Sequence, residues 1–548
     1  MLGILGGILF VLAVFAVQLG LDNDAGWGKS RILMAIAGAA LMAVNWILVK
    51  FSDRLSKLKE TFASLEDTNR ARLYAAIAII FIAVVYFWYA LPAFENPEFK
   101  FDYYGRMATA FRHGQVHLIE EPPQSLLSLS DPYDYALRYE TGVVNEIPID
   151  ISLYEGKYYL YWGPAPSLFL MVFNDDQISQ IKDKYIGYLF ACGVLLYLIL
   201  FILKLWEGYR HDLSVWFIPV FALIFGLSTP APWMVKTSGI YEAAIFGGQF
   251  FLIGGFYWIY AALHQPGHSR WKLLLGGIHW AFAMGTRLTV WPAIFLGAVT
   301  TLVYLVKDYR LITISQLIIK PVSFALPLCI ALLLLGWYNF ARFDSLTEFG
   351  LRYQLANTDY RKFSTPFSTS YIRGNLHNYF TYPVMYEEKF PFMKPTENVN
   401  SNERLAGLLF ISPWILFGVI LLSHLALAAV QKWDAAVLSP AEIWFLFSVG
   451  GSLFVMLTLV LTFYFPATRY IEDFMPLLSL FTFFLLARVF AMYKTKPGWR
   501  SFPQLFALVG FWSIIASLLI SLPMEHVVRV IKFSIHIRNW LLGFGVGQ

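Results

Sequence analysis

The segment LYAAIAIIFIAVVYFWYAL, residues 73–91, decides the fold of this protein. It carries no charged side chain, and as a helix it is long enough to cross the hydrocarbon core of a bilayer, which is about 30 Å thick. Apolar blocks of roughly 18 to 25 residues recur along the rest of the chain. The sequence therefore predicts an all-α polytopic membrane protein.

The composition supports the same fold class. The chain has 548 residues, of which 58% are hydrophobic and 14% are charged, and its mean hydropathy is +0.58. Soluble domains are less apolar and more charged, so intrinsic disorder, a disulfide scaffold and a nucleic-acid-binding module are all excluded. Cys192 and Cys329 lie inside apolar blocks, where a thiol acts as a small hydrophobic group. The cysteines thus predict neither a disulfide nor a zinc site.

The apolar blocks predict about thirteen membrane spans. We expect them at residues 2–21, 32–49, 73–91, 185–203, 215–229, 241–263, 273–285, 289–306, 321–338, 405–430, 443–465, 474–491 and 503–522. No basic region precedes the first block, so we expect a retained helix there and not a cleaved signal peptide.

The spans divide the chain into three parts. Residues 1–72 hold two extra N-terminal spans and a linker, in which Leu55, Leu58, Phe62 and Leu65 form the apolar stripe of an amphipathic helix on the membrane surface. Residues 73–522 form the main transmembrane module, and residues 523–548 form a C-terminal tail.

Basic loops predict the orientation. Lys and Arg residues crowd the loops around 50–72, 307–320 and 488–500, and short basic loops face the cytoplasm. The N-terminus is then cytoplasmic, in an inner (plasma) membrane. Two long polar segments, 92–184 (the first polar segment) and 340–404 (the second polar segment), are then large extracytoplasmic loops, and the tail also lies outside.

Charged residues cluster at the predicted outer ends of the spans. They are Asp102, Lys236, Glu242, Arg287, Arg469, Glu472 and Asp473. The deeper parts of the spans are nearly free of charge, which argues against an ion relay across the bilayer. The pattern favours a site at the outer membrane–water boundary. The alternative is that each residue is a separate interfacial anchor.

No Gly-rich phosphate loop follows a strand in the sequence, so an ATP-driven pump is disfavoured. No His or Cys cluster has the spacing of a metal site. Asp131, Asp134 and Asp150 could ligate a divalent cation, but their spacing is not that of a metal cage. No other cofactor is expected.

Four motifs follow one another along the chain. They are DYYGRMATAF (102–111), SLYEGKYYLYWGPAPSL (152–168), WYNFARFDSLTEFGLRYQL (337–355) and TRYIEDFMP (468–476). In this order they resemble the C-type (GT-C) superfamily of polytopic membrane glycosyltransferases, whose donors are lipid-phosphate-linked sugars. The resemblance covers most of the chain from about residue 73 onward and leaves the first two spans outside.

The resemblance implies a GT-C-like bundle that transfers a sugar, with inversion at its anomeric carbon, from a polyprenyl-phosphate donor to a glycan, lipid or protein acceptor. Its partners would be these substrates and the membrane lipids, with no nucleic acid. It also implies that Asp102 is the catalytic base that takes the proton of the acceptor hydroxyl. Asp102 could instead be the N-cap of a helix over residues 103–112.

Arg469 is the preferred ligand for the donor phosphate, since a guanidinium offers paired donors that match phosphate oxygens. Tyr470 can add a hydroxyl donor, and Lys236 and Arg287 are further candidates for the same phosphate. The alternative for Arg469 is a salt bridge with the carboxylates three and four residues further on.

Four more residues complete the predicted substrate site. Asp150, Tyr154 and Lys157 belong to or precede the second motif and are candidates for holding either sugar, and Glu242 lies at the same ends of the spans. Aromatic residues make up 18% of the chain and can stack on sugar rings. Interfacial belts are also rich in Trp and Tyr, so this signal has two interpretations.

Two other functions remain open. One is a transporter or flippase for a lipid-linked glycan, which is disfavoured because alternating access uses a site near the bilayer midplane. The other is a non-catalytic membrane subunit that binds a glycolipid.

Overall fold

The computed structural model describes residues 2–19, 29–50, 65–95, 102–264, 269–308, 314–363, 365–388, 391–398, 401, 403–430, 438–493, 501–526 and 528. Most of these residues are helical. The helices are α1 (Leu2–Val14), α2 (Lys29–Lys50), α3 (Asp67–Glu95), α4 (Tyr103–Arg112), α5 (Gln124–Leu127), α6 (Tyr135–Glu140), α7 (Ala165–Leu170), α8 (Asp175–Gln180), α9 (Asp183–Tyr209), α10 (Phe217–Leu227), α11 (Ala231–Lys236), α12 (Ile240–Leu263), α13 (Arg270–Met284), α14 (Trp291–Asp308), α15 (Ile314–Phe343), α16 (Ile372–Leu376), α17 (Leu408–Ile411), α18 (Ile415–Val430), α19 (Pro440–Phe445), α20 (Gly451–Thr462), α21 (Met475–Tyr493) and α22 (Phe502–Ser521).

Within the described residues, eight helical stretches are long and apolar enough to cross a membrane. They are Asp67–Glu95, Asp183–Tyr209, Ile240–Leu263, Leu288–Lys307, Ile318–Phe343, Pro440–Thr462, Met475–Tyr493 and Phe502–Ser521. Helices α1, α2, α10 and α18 contain shorter apolar stretches. The chain is thus a polytopic α-helical membrane protein, and the count of thirteen spans stays a prediction.

The chain divides into two compact units, residues 1–70 with 523–548, and residues 71–522. In the smaller unit, α1 packs closely against α2. A Cβ atom on Gly6 would lie only 2.7 Å from the carbonyl oxygen of Gly38, so the absence of a side chain at Gly6 permits this approach. Arg31 donates from Nε to the carbonyl oxygen of Ala13 at 3.0 Å, near the end of α1. Apart from Leu65, the stripe of the predicted amphipathic linker lies outside the described residues.

Helix α12 is the most buried membrane helix of the larger unit. Its glycines allow close packing: a Cβ atom on Gly255 would lie 2.2 Å from the Trp280 ring, which is itself fully buried. By contrast, α3 and α15 expose rows of large apolar side chains, such as Ile80 and Leu333. An exposed apolar surface of this kind fits contact with lipid.

The first polar segment folds around a small core of its own, which contains Tyr104, Met107 and Leu153. Within it, β1 (Ser152–Tyr154) pairs antiparallel with β2 (Lys157–Tyr159). Glu155 and Gly156 form the two-residue turn between the strands, and both have positive φ, as a tight hairpin of this length requires.

The second polar segment contains an antiparallel sheet of β3 (Val384–Tyr386), β4 (Met393–Glu397) and β5 (Arg404–Leu405). Its beginning packs on the first polar segment through backbone contacts: Leu355 N donates to the Ile151 carbonyl at 2.8 Å. Arg138, which is buried, donates from Nη2 to the Ala356 carbonyl at 2.6 Å.

The segment that follows the hairpin, at Gly163 and Ala165, packs on the turn between α13 and α14. Ala165 N donates to the Gly285 carbonyl at 2.8 Å. A Cβ atom on Gly163 would lie 2.2 Å from the same oxygen, so a side chain at this position would prevent the contact. This close approach brings the first polar segment next to Arg287.

Candidate functional site

The TRYIEDFMP motif forms a short 3-10 helix, Thr468–Asp473, directly before α21. The tight helix follows Ala467, which is extended, and it turns Arg469 and Tyr470 toward the polar segments. Glu472 and Asp473 are buried in the bundle. One motif therefore supplies a cation, a phenol and two acids to one region.

Asp473 forms a two-point ion pair with Arg287. Arg287 donates from Nε to Oδ1 at 2.9 Å and from Nη2 to Oδ2 at 2.7 Å. The Asp473 carbonyl also accepts from Gln249 Nε2 of α12 at 2.7 Å. These contacts hold the 3-10 helix against α12 and the turn that precedes α14.

Arg469 does not pair with Glu472 or Asp473 in the contacts described. Its Nη1 lies 3.0 Å from Glu403 Oε1, in the second polar segment. Its guanidinium carbon lies 4.8 Å from the Tyr241 ring centroid and 5.3 Å from that of Tyr470. The salt bridge along the motif that local spacing suggested is therefore replaced by a long-range one.

The two arginines share one aromatic neighbour. The guanidinium carbon of Arg287 lies 6.0 Å from the Tyr470 ring centroid, so this ring lies close to both cations. Buried Glu242 is a further electrostatic neighbour of Arg469. Glu242 also accepts from Gly239 N at 2.9 Å and so caps the start of α12.

Asp150 lies in the same cluster. Burial raises the pKa of its carboxyl to about 6, although the positive charges of Arg469 and Arg138 oppose the shift. Its φ of +57° is strained for a residue with a side chain. Hydrogen bonds on both sides fix this conformation: the Ile149 carbonyl accepts from the Tyr103 hydroxyl, and the Ile151 carbonyl accepts from Leu355 N.

Tyrosines surround this acid. Tyr161 of the second motif has Asp150, Tyr470 and Tyr360 as electrostatic neighbours. Burial is the main cause that raises the pKa of the Tyr161 hydroxyl above its usual value, so the hydroxyl stays protonated and can donate. Tyr360 exchanges a hydrogen bond with Tyr464 at 2.9 Å between their hydroxyl oxygens.

Asp102 occupies a different place. Its carboxylate pairs with Lys182 Nζ at 2.8 Å and accepts from Asp183 N at 3.2 Å. It stands at the N-cap position of α4 but makes no capping hydrogen bond there. Asp183 makes the capping hydrogen bonds instead: its carboxylate accepts from Tyr103 N at 2.8 Å and from Tyr104 N at 3.1 Å. Asp102 therefore occupies the predicted N-cap position of a helix over residues 103–112, but the capping hydrogen bonds come from Asp183.

Asp102 also lines a cleft of about 360 Å³ between α4 and α8. The other lining residues are Gly105, Arg106, Thr109, Ile119, Glu120, Asp175, Ile178, Ser179 and Lys182. Arg106 pairs with Glu120 at 3.3 Å, so much of the charge in the cleft is compensated internally.

Three other predicted residues lie outside the arginine cluster. Lys236 donates to the Leu522 carbonyl at the end of α22, at 3.5 Å. Tyr154 packs against the rings of Tyr353 and Phe343, with centroids 4.7 and 5.6 Å away. Lys157 is exposed beside the hairpin turn. Their proposed contacts with substrate stay predictions.

The acids that were candidates for a divalent cation have separate partners. Asp131 pairs with Arg361 Nη2 at 2.7 Å. Asp134 accepts from Ala136 N at 2.9 Å and caps α6. Within the residues that the structure describes, no three His, Cys, Asp or Glu side chains are grouped as metal ligands.

The structure thus brings together five of the nine residues predicted from sequence: Asp150, Glu242, Arg287, Arg469 and Tyr470. It adds residues that sequence reasoning did not select, namely Arg138, Tyr161, Tyr241, Tyr360 and Glu403. Tyr161 lies in a quoted motif, and Tyr241 precedes Glu242. Arg138, Tyr360 and Glu403 carry no local signal, because only the folding of the polar segments places them here.

Comparison of the chain with protein-family models, curated proteins and solved structures finds no match. Function is therefore inferred from the geometry of the chain's own residues.

Proposed function

We propose that this protein is an integral-membrane glycosyltransferase that moves a sugar from a polyprenyl-phosphate donor to an acceptor on the outer face of the plasma membrane. One observation carries the proposal: Arg287 and Arg469 share the ring of Tyr470, and the half-buried carboxylate of Asp150 neighbours Arg469. Cations for a phosphate and an acid for proton transfer are thus in one cluster at the ends of membrane helices.

Arg469 binds the donor phosphate in this proposal. One of its amino groups pairs with Glu403, whereas its Nε has no hydrogen-bond partner among the described residues. An unpartnered donor of this kind can bind a phosphate oxygen. Arg287 is engaged by Asp473 and contributes positive charge without a direct contact. Fixed cations stabilise the negative charge that the phosphate carries as it leaves.

Asp150 is the carboxylate whose geometry best suits the base. The acceptor oxygen bonds to the anomeric carbon while the bond from that carbon to the phosphate oxygen breaks. The acceptor proton passes to the Asp150 carboxylate, and the electron pair of the broken bond stays on polyprenyl phosphate. A pKa of about 6 leaves Asp150 ionised at neutral pH and still basic enough to take a proton.

Asp102, which the family resemblance implies, is the alternative base. Its pairing with Lys182 at 2.8 Å weighs against that role, because an acceptor hydroxyl would have to displace the ammonium group from the carboxylate. Its position on a cleft is a point in its favour, since an acceptor needs open space beside the base. The two aspartates predict different dependences of turnover on pH.

The tyrosines provide surfaces for the sugar. Tyr161 packs on Trp162 at 4.2 Å between ring centroids, and Trp162 lies 5.4 Å from Tyr241, which itself neighbours Arg469. A continuous row of rings that begins at the phosphate-binding cation is a suitable surface for a pyranose or furanose ring.

The proposal is tested with the purified full-length protein in liposomes. Synthetic polyprenyl-phosphate hexoses and pentoses with a radiolabelled sugar serve as donors, and a membrane extract serves as the acceptor pool. We expect label to pass from one of the donors to an acceptor, with release of polyprenyl phosphate. Movement of intact donor between the leaflets without cleavage would identify a flippase instead, and binding without either event would identify a glycolipid-binding subunit.

A further inference from the structure

A small cavity lies inside the helix bundle beside Glu472. Its polar lining comes from Tyr86 of α3, Gly226 of α10, Thr229, Glu472 and Ser479 of α21, and all other lining residues are apolar. Its volume is about 10 Å³, which is close to the space that one water molecule needs. The cavity can therefore hold one water molecule or one small ion beside the oxygen atoms of its polar residues.

Two oxygen atoms in this lining have no hydrogen-bond partner among the described residues. They are Glu472 Oε2 and Ser479 Oγ, and both residues are buried, with 3% and 0% of their surfaces exposed. Buried polar atoms without a partner are uncommon in folded proteins, and a bound water molecule or ion is one explanation for them. The two atoms share one cavity, so one bound species can satisfy both.

Glu472 also lacks a cationic partner among the described residues. The adjacent Asp473 pairs with Arg287, and Arg469 pairs with Glu403, but Glu472 takes part in none of the ion pairs among the described residues. Buried carboxylates are usually neutral, paired with a cationic side chain or bound to a metal ion.

Burial, and after it the charge of Asp473, raises the pKa of the Glu472 carboxyl to about 8. The other titratable groups near the cavity are Tyr86 of α3, whose hydroxyl donates to the Gly226 carbonyl, and Cys192 of α9. Neither supplies a positive charge. The negative charge of the Glu472 carboxylate can therefore be neutralised by a proton or by a bound cation.

We propose that this cavity binds a monovalent cation of the size of sodium, with the Glu472 carboxylate and the Ser479 hydroxyl as its principal ligands. Thr229, Tyr86 and Gly226 also line the cavity, and the Tyr86 hydroxyl donates to the Gly226 carbonyl at 2.6 Å. A single carboxylate balances one positive charge, which favours a monovalent over a divalent ion. Hard cations prefer oxygen ligands, and every polar group of this lining offers oxygen. The inference does not depend on the proposed glycosyl transfer.

The test measures thermal unfolding of the full-length protein in detergent at about pH 9, where Glu472 is largely ionised. Sodium chloride is titrated against choline chloride at constant ionic strength. We expect a saturable rise in Tm of about 2 °C or more in sodium, which choline does not produce. Glu472→Gln, which imitates the protonated side chain, should abolish the sodium-dependent rise.

Two further variants make the result specific. Ser479→Ala should raise the sodium concentration at half effect by about tenfold, because it removes one ligand. Glu155→Gln is the matched control, since it makes the same chemical change at an exposed turn, and it should respond as the wild type does. If Glu472→Gln does not fold, Ser479→Ala and direct binding of radioactive sodium to the wild type still decide the matter. Equal Tm values in sodium and choline for the wild type, or an unchanged sodium response in Ser479→Ala, would overturn the proposal.

Discussion

Arg287 and Asp473 are 186 positions apart in the chain and form a two-point ion pair at 2.7 and 2.9 Å. Asp473 is 2% exposed and Arg287 is 12% exposed, so the pair is largely withdrawn from solvent. Through Asp473 the pair also connects to Gln249 of α12. It thereby fixes the 3-10 helix that presents Arg469 and Tyr470.

We expect Asp473→Ala to destabilise the protein strongly, because it leaves the Arg287 charge buried without a partner. The loss for a broken buried pair is about 3–5 kcal/mol, measured as a fall in Tm or in resistance to denaturant. Arg287→Leu combined with Asp473→Leu should regain much of the loss, since neither charge then remains. Lys362→Ala, which removes an exposed partner of Asp359, is the control and should change stability little, because solvent screens an exposed ion pair. Equal losses of stability in Asp473→Ala and Lys362→Ala would contradict this account of the Arg287–Asp473 pair.

The location of membrane helices could be predicted from the sequence, but the pairing of Arg287 with Asp473 could not. Hydropathy located the eight helices of the described residues that are long and apolar enough to cross a membrane, because the bilayer imposes one length and one polarity on every span. As the alternative to a phosphate, local spacing offered Glu472 or Asp473 as the partner of Arg469. The folded chain instead pairs Asp473 with Arg287 and Arg469 with Glu403. Only tertiary packing decides which distant charges meet. For the same reason Asp183, and not the adjacent Asp102, caps α4.

Gly163 should tolerate no side chain, because a Cβ atom would lie 2.2 Å from the Gly285 carbonyl oxygen. We expect Gly163→Ala to lift the first polar segment from the turn that holds Arg287, and to lower both Tm and turnover. Gly374→Ala is the control, since a Cβ atom there meets no atom within 4 Å and α16 favours alanine over glycine. Identical Tm and turnover in the two variants would mean that the close contact is unimportant.

The orientation is tested with single cysteines in a protein that lacks Cys192 and Cys329. Cysteines at Ser130 and Glu397, both exposed, should react with an impermeant thiol reagent on intact cells. A cysteine at Glu66, on the predicted cytoplasmic side, should react only after lysis. The opposite labelling pattern would place the arginine cluster on the cytoplasmic face and remove the extracytoplasmic part of the proposal.

Arg469→Ala should weaken binding of polyprenyl phosphate and also lower turnover, by about 100- to 1,000-fold. The phosphate charge is present before reaction and grows as the bond breaks, so both quantities depend on the cation. Arg469→Lys should recover only part of the loss, since one ammonium lacks the paired donors of a guanidinium. Glu403→Gln is the companion variant: it removes the competing carboxylate, so it should bind undecaprenyl phosphate at least as tightly as the wild type. Weaker binding in Glu403→Gln would indicate that Glu403 positions Arg469 and does not compete with the phosphate.

Asp150 and Asp102 can be separated by the pH dependence of turnover. If Asp150 is the base, turnover is low while its carboxyl is protonated, and it rises with pH through a midpoint of about 6 to a plateau. Asp150→Asn keeps the size of the side chain and removes its ability to accept a proton. We expect turnover to fall by about two to four powers of ten and the rise near pH 6 to disappear. Binding of undecaprenyl phosphate should change little.

Asp102→Asn is the matched comparison, since it makes the same change in the other candidate. In the structure this aspartate is tied to Lys182, so its replacement should loosen the contact between α4 and the start of α9 and lower Tm. The midpoint near pH 6 should remain in the activity that is left, because Asp150 is intact. If Asp102→Asn abolishes turnover at unchanged Tm and Asp150→Asn keeps the wild-type pH profile, the base is Asp102. The acceptor would then bind in the cleft between α4 and α8, and Asp150 would act by holding Arg469 in place.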